Sequence, residues 1–402
     1  RKFAASALLA LSLTPAPAQA QDVACAVPAI VANPAASPAT EALRKFATGA
    51  GVRVAVIDTG VAPHPEITHL RAGRDFVAAD ALHDCDNHGT AVAGIIAGRT
   101  LGIAPDAEII SVRQTSAHYR DVDAGNLQTL TDAIHNALDE GASVLNISVV
   151  SCLEPGFASR IDTSGIAAAL HRAEAQGAVV VAAAGNAGPD CEPGFEVFPA
   201  RFPTVLAVAA RADNHAIADY SLPAGLSAPG HVPAALAPGG WAEGTLVKDG
   251  VHPYAGTSFA TPVVSGTVAL LQSRYPGIAP EHVRSLLDAS AQPGGGAIDP
   301  LAALTQLTPH ELADRPTAQV RPVDPRPNPA VGRLGALAGA EQSARDLEPE
   351  RHRLDDPVAL ELEVDVGELT VDVHADGHPP GQQRRQRRPR LRKQRRKLPS
   401  AW

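Results

Sequence analysis

Methionine is absent from the 402 residues, and aromatic side chains make up only 3% of them. Any buried core therefore has to be assembled largely from Ala, Val, Leu and Ile. Charged residues are also sparse, at 19% against 45% hydrophobic. That balance excludes a wholly disordered chain. No window of the sequence holds roughly 18 or more consecutive apolar residues, so no membrane-spanning helix is expected in it. No Cys-x-x-Cys spacing occurs, which weakens a metal-binding reading of the cysteines. Position 1 is Arg and no Met follows, so the natural start is expected upstream.

What is present points to an exported α/β protein with long irregular segments. Gly (34) and Pro (35) are abundant without a collagen period, as loops or tails would require. The length suits two to three ordinary domains, or a single α/β core of about 250 residues with additions. The formal net charge of −9 conceals an asymmetry, because residues 382–402 carry ten Lys or Arg and no acidic residue. Without those ten, 24 basic residues face 43 acidic ones. So acidic a body is a poor nucleic-acid binder, and only the basic tail suits a polyanion or an anionic membrane.

Arg1-Lys2, the apolar run at 3–13 and the small residues ending in Ala18-Gln19-Ala20 fit a secretory signal cleaved before Gln21. The mature chain would then meet an oxidising compartment. Cys25, Cys85, Cys152 and Cys191 are an even set that allows three pairings, and disulfides are the better reading.

Residues 21–50 are rich in Ala and Pro and read as an extension. From 51 to 303 strand-like and helix-like patterns alternate. Strands are expected near 52–58, 107–112, 143–149, 179–184 and 204–209, and helices at 88–98, 127–138, 164–176, 257–272 and 280–289. Such alternation predicts an α/β fold: right-handed crossovers, a mostly parallel sheet and helices on both faces. Residues 304–357 read as a Pro-rich linker. Residues 358–402 hold an acidic, alternating stretch and then the Arg-rich tail, and neither has an assigned role.

In a parallel sheet, active sites form at the carboxyl ends of strands. Asp58 ends the first strand, His88 opens a helix, and Ser258 opens a late helix. A serine hydroxyl is a weak nucleophile. It needs an imidazole to take its proton and a carboxylate to orient that imidazole. The Ser258 amide at a helix start can donate to a developing oxyanion, and Asn186, after Ala182-Ala183-Ala184-Gly185, is placed to supply a second donor. Each residue singly also has a plain structural reading, as a cap, a turn or a core polar group.

Together, Val54-Ala55-Val56-Ile57-Asp58-Thr59-Gly60, Asn87-His88-Gly89-Thr90-Ala91-Val92-Ala93-Gly94 and Gly256-Thr257-Ser258-Phe259-Ala260-Thr261-Pro262 resemble the three signatures of subtilisin-like serine proteases. The resemblance implies Asp58 as orienting carboxylate, His88 as general base and acid, Ser258 as nucleophile and Asn186 as oxyanion donor. It also implies that Ser148, Val149 and Val150, with Ala183, Ala184 and Gly185, line a cleft to which an extended peptide adds as a strand. No cofactor or metal is implied, and no carboxylate-rich loop with calcium-ligand spacing is found. The small cleft residues define no P1 preference.

Within that family the chain is similar to the mycosins, proteases associated with type VII secretion. Val61-Ala62-Pro63-His64-Pro65, Asp84-Cys85-Asp86-Asn87 before the histidine, and Ile109-Ile110-Ser111-Val112-Arg113-Gln114 carry the likeness. Cys152 and Cys191 follow two successive parallel strands, so their loops should emerge side by side. Pairing them leaves Cys25 for Cys85, which ties the extension beside His88, and similar bridges occur in mycosins. Mycosins usually end in a membrane helix after their linker. The Arg-rich tail is a departure, and membrane anchorage is left unassigned. The sequence thus predicts a secreted or envelope-associated serine endopeptidase acting on peptides or proteins in or near a type VII secretion complex. The alternative is a mainly structural partner of such a complex with latent proteolysis.

Overall fold

The computed structural model describes residues 24–119, 124–213 and 216–306. The signal-like segment at 1–20, most of the 304–357 linker and all of 358–402 lie outside the described residues. All described residues belong to one compact unit.

Seven parallel strands, the inner ones apolar and buried on both faces, form a sheet at its centre. From one edge to the other the strands are Leu226–Pro229, Val205–Arg211, Val179–Ala183, Val144–Ile147, Arg53–Asp58, Glu108–Arg113 and Leu70–Asp75. The chain lays strands to one side of Arg53–Asp58 and then crosses to the other. The carboxyl end of Arg53–Asp58 is therefore a switch point, where an open parallel sheet leaves a crevice.

Alternation along each strand builds two apolar layers. Val54 and Val56 face one layer, where the helices His88–Ala97 and Thr257–Arg274 pack. Ala55 and Ile57 face the other, covered by Leu127–Asp139 and Ser164–Ala175. The helix Leu127–Asp139 begins at a capping box between Asn126 and Thr129, the local signal that starts it there. Thr257–Arg274 is apolar nearly all round and runs through the interior, as a helix without a polar face must.

The stretch read as an extension is woven into the same unit. Strand Pro28–Val31 pairs antiparallel with Gly240–Val247, which forms a hairpin with Gly250–Ala255. Helix Pro38–Arg44 follows, and the Arg44 guanidinium donates to the Thr100 and Gly102 carbonyls. Cys25 is bonded to Cys85 and Cys152 to Cys191, and no cysteine is free. The last described helix, Pro300–Thr305, runs past residue 303, and among the described residues no helix is long and apolar enough to cross a membrane.

Candidate active site

Asp58 is the last residue of its strand and His88 the first of its helix. They meet because Gly89 has no side chain: a Cβ there would collide with the Gly60 carbonyl. His88 Nδ1 lies 2.7 Å from Asp58 Oδ1, which also accepts the Thr59 amide at 2.7 Å. Asp58 is completely buried. Burial on its own would lower the His88 pKa, but the charge and hydrogen bond of Asp58, with smaller contributions from Asp84 and Asp86, outweigh it and hold the imidazole above its ordinary value. The Phe259 ring sits 5.0 Å from the imidazole, centroid to centroid, and Tyr254 packs behind it at 5.4 Å.

Ser258 is the second residue of the helix Thr257–Arg274. Its hydroxyl donates to the Ser148 carbonyl at 2.9 Å, and the Ser148 hydroxyl donates to the Ser258 carbonyl at 2.9 Å. Ser148 is held in turn by the Asn146 amide at 2.9 Å, and Asn146 Oδ1 accepts from Ser265 at 2.8 Å. A polar chain inside the protein thus links the strand Val144–Ile147 to the serine helix.

Asn186 lies beside the same helix start. Its Oδ1 accepts the Thr257 amide at 2.9 Å and the Thr257 hydroxyl at 3.1 Å. The carboxamide is fixed by its oxygen, so its Nδ2 is the group available for another acceptor, and it faces the space beside Gly256. The Ser258 amide belongs to the first helical turn, where N–H groups have no intrahelical partner. The Ser258 amide and hydroxyl and the Asn186 carboxamide thus all lie at one helix start.

Of the six residues expected to line a cleft, Ser148 is buried and the other five divide into two kinds. Val149 and Val150 are half-buried just past the strand Val144–Ile147. Ala183, Ala184 and Gly185 are buried, and their neighbours already use much of their backbone: Ala184 N–H donates to Val208, Gly185 N–H to Thr257 Oγ1, and Gly185 C=O accepts from Leu222. Gly185 also has φ +99°, a conformation that suits glycine.

Residues not singled out from the sequence complete the surroundings. Asp84, Thr59 and Thr90 form a buried network between Asp58 and His88. Asp86 accepts from Ser116 at 2.6 Å and from the Ala117 amide at 2.9 Å, and burial raises its pKa. The signal available in sequence was the threonine directly after Asp58 and the one two residues after His88. Among the described residues one trio, Cys25, His83 and Cys85, has metal-ligand proximity, but the disulfide occupies both sulfurs.

The model of the subtilase family matches residues 49–316, two thirds of the chain. The chain belongs to the subtilase family. Mycosin-1 of Mycolicibacterium smegmatis is 36% identical over 355 residues, covering 74% of this chain and 78% of the relative. Mycosin-1 of Mycobacterium tuberculosis is 37% identical over 326 residues, covering 68% and 72%. Among solved structures, MycP1 from the ESX-1 type VII secretion system aligns with a TM-score of 0.67 at 33% identity, over 72% of this chain and 91% of that one. A chain of an intact ESX-5 inner membrane complex aligns with a TM-score of 0.63 at 31% identity, over 83% and 94%. This subtilase is thus mycosin-like, with the subtilisin-like α/β fold expected from its alternating pattern. As a subtilase it is a serine endopeptidase.

Proposed function

We propose that Ser258 attacks the scissile carbonyl of a peptide, with His88 taking the hydroxyl proton and Asp58 holding the imidazole in its tautomer. His88 then protonates the leaving amine, and water, activated by the same imidazole, hydrolyses the acyl-enzyme. Asn186 Nδ2 and the Ser258 amide donate to the tetrahedral oxyanion. The observation that carries this reading is the 2.7 Å contact between His88 and buried Asp58. Substrate adds as an extended strand along Ser148, Val149 and Val150. Ala183, Ala184 and Gly185 form the opposite wall.

In this reading residues 1–20 direct export, 21–50 form an N-terminal extension, 51–303 form the catalytic domain and 304–357 are a linker, with 358–402 unassigned. The protein acts outside the cytoplasm in association with a type VII secretion complex. That placement is supported by relatives solved as part of ESX-5 assemblies.

Intact-protein mass spectrometry after exposure to a serine-directed fluorophosphonate tests the chemistry. One adduct on the wild type, absent from Ser258→Ala, is the expected result. An adduct on both proteins rules Ser258 out as the nucleophile. Turnover by Ser258→Ala should fall by about 10⁶, the scale known for nucleophile loss in subtilisin.

A second reading makes the protein chiefly a scaffold of the secretion machine, and the woven, disulfide-closed extension favours it. If Ser258→Ala supports secretion where deletion abolishes it, scaffolding dominates.

A further inference from the structure

The carboxylate of Asp84 is sealed between the two segments that carry Asp58 and His88. Its Oδ1 accepts the Thr59 hydroxyl at 2.8 Å and the Asp86 amide at 3.2 Å. Its Oδ2 accepts the Thr90 amide at 2.8 Å and the Thr90 hydroxyl at 2.6 Å. Both threonines are fully buried and both act as bridges. The Thr59 amide donates to Asp58 Oδ1, and the Thr59 hydroxyl accepts the Gly89 amide at 3.0 Å. The Thr90 hydroxyl accepts the Ala62 amide at 2.9 Å. One carboxylate therefore ties residues 59 and 62, just past Asp58, to residues 89 and 90, just past His88.

All four hydrogen bonds to Asp84 come from neutral donors. A buried carboxylate without a cation is unfavourable. Burial pushes its carboxyl up to about 6 in spite of those bonds, and the neighbouring charge of Asp86 adds to the rise. The ionisable groups that face it are His88, whose basicity its charge increases, Asp86, and Tyr254, whose phenol is raised first by its own burial and then by Asp84. Both oxygens of Asp84 accept, so a neutral amide, whose nitrogen would meet those neighbours donor to donor, could not make the same tie. The imidazole is the neighbouring base that the charge of Asp84 favours in its protonated form.

We infer that Asp84 is a positioning residue for His88, pinning the imidazole helix to the end of the Asp58 strand and setting a carboxylate beside the base. This rests on the reading of His88 as general base, which the experiment is built to check separately.

The second-order rate of fluorophosphonate labelling at Ser258 is measured against pH for the wild type, Asp84→Asn, Thr90→Val and Thr90→Ser in the full chain. Asp84→Asn should label about 10- to 100-fold more slowly, the scale of a small misplacement of catalytic groups. Its acid limb should also move to lower pH, because a charge that raises His88 is gone. Thr90→Val should slow labelling with the acid limb in place, and Thr90→Ser should recover the rate. A wild-type rate and limb in Asp84→Asn overturn the inference alone, as does a slowed rate with an unmoved limb, which would leave Asp84 a scaffold. If Asp84→Asn does not fold, the threonine pair decides: Thr90→Val at the wild-type rate overturns it, and loss restored by serine supports it. A wild type that does not label at Ser258 overturns the catalytic reading, and this inference with it.

Discussion

Ser148 and Ser258 hold each other by two reciprocal hydrogen bonds, each hydroxyl donating to the other residue's carbonyl. The cause lies four residues along the helix. A helical carbonyl at 258 would accept the amide of residue 262, but residue 262 is proline and has none. The Ser148 hydroxyl takes the place of the missing donor.

Ser148→Ala should therefore cost about 1–3 kcal/mol, because the Ser258 carbonyl and the Asn146 amide are each left short of a buried partner. Urea unfolding measures it. The loss should shrink in a Pro262→Ala background, where the new amide can reach the Ser258 carbonyl. Equal losses in both backgrounds would contradict this account. Fluorophosphonate labelling should persist in Ser148→Ala, since the carbonyl that accepts the Ser258 hydroxyl belongs to the backbone.

Asn186→Asp keeps the oxygen that anchors Thr257 and replaces the amide donor with a second oxygen. Hydrolysis of a peptide substrate should drop by roughly 10²- to 10³-fold, as on removing one oxyanion donor from subtilisin. Thermal unfolding should change little by comparison. Retained turnover would exclude Asn186 Nδ2 from the oxyanion site.

The imidazole must be neutral to act as base, and Asp58 holds its pKa above 6.5 in spite of burial. Labelling of Ser258 should fall with acid through a pH above 6.5, the ordinary imidazole value. For stability the sign is opposite. A raised imidazole pKa contributes stability present below 6.5 and lost as pH rises through the folded value. The difference in unfolding free energy between wild type and His88→Ala, followed across that range, reads it directly.

Asp84 gives a second stability signature. Its carboxyl is raised from 3.8 to about 6, so the folded state binds the proton more tightly than the unfolded state does. Relative to Asp84→Asn, the wild type should lose stability as pH rises through that window and stay level above it. A flat difference would place the charge in a more solvated setting.

The Cys25–Cys85 bridge closes 60 residues and the Cys152–Cys191 bridge 39. Each contributes on the order of 4 kcal/mol in the chain-entropy model. Cys25→Ser should lower the denaturation midpoint, and limited proteolysis should then cut first in residues 24–50. An unchanged digestion pattern would mean that strand pairing with Gly240–Val247 alone secures the extension.

The strands near 52–58, 107–112 and 179–184 were legible because a strand buried on both faces is a run of Val, Ile and Ala, and the structure places Arg53–Asp58, Glu108–Arg113 and Val179–Ala183 within a residue or two of those limits. Leu70–Asp75 was not legible. It is an edge strand, half-exposed and carrying Arg71, Arg74 and Asp75, so it has neither an apolar run nor a clean alternation. The hairpin of Gly240–Val247 and Gly250–Ala255 was hidden because Gly240, Gly244, Gly250 and Pro253 break its pattern, and Pro28–Val31 pairs with its first strand. At the site, Asp58, His88 and Ser258 are announced by small and Gly-rich neighbours. Asp84 is marked only as part of the run before the histidine, and its contacts with Thr59 and Thr90 come from where two loops cross. The bond between Ser148 and Ser258 spans 110 residues and follows from a proline whose effect is felt one helical turn away.

The serine helix Thr257–Arg274 threads the middle of the molecule and packs against five of the seven strands of the central sheet. Asp58 and His88 are synthesised early and Ser258 two hundred residues after Asp58, so a growing chain carries a base long before it carries a nucleophile. Until that helix seats itself, the sheet lacks the centre of one apolar layer. If the proposed roles hold, a chain made only as far as residue 256 has no nucleophile with which to cut its neighbours.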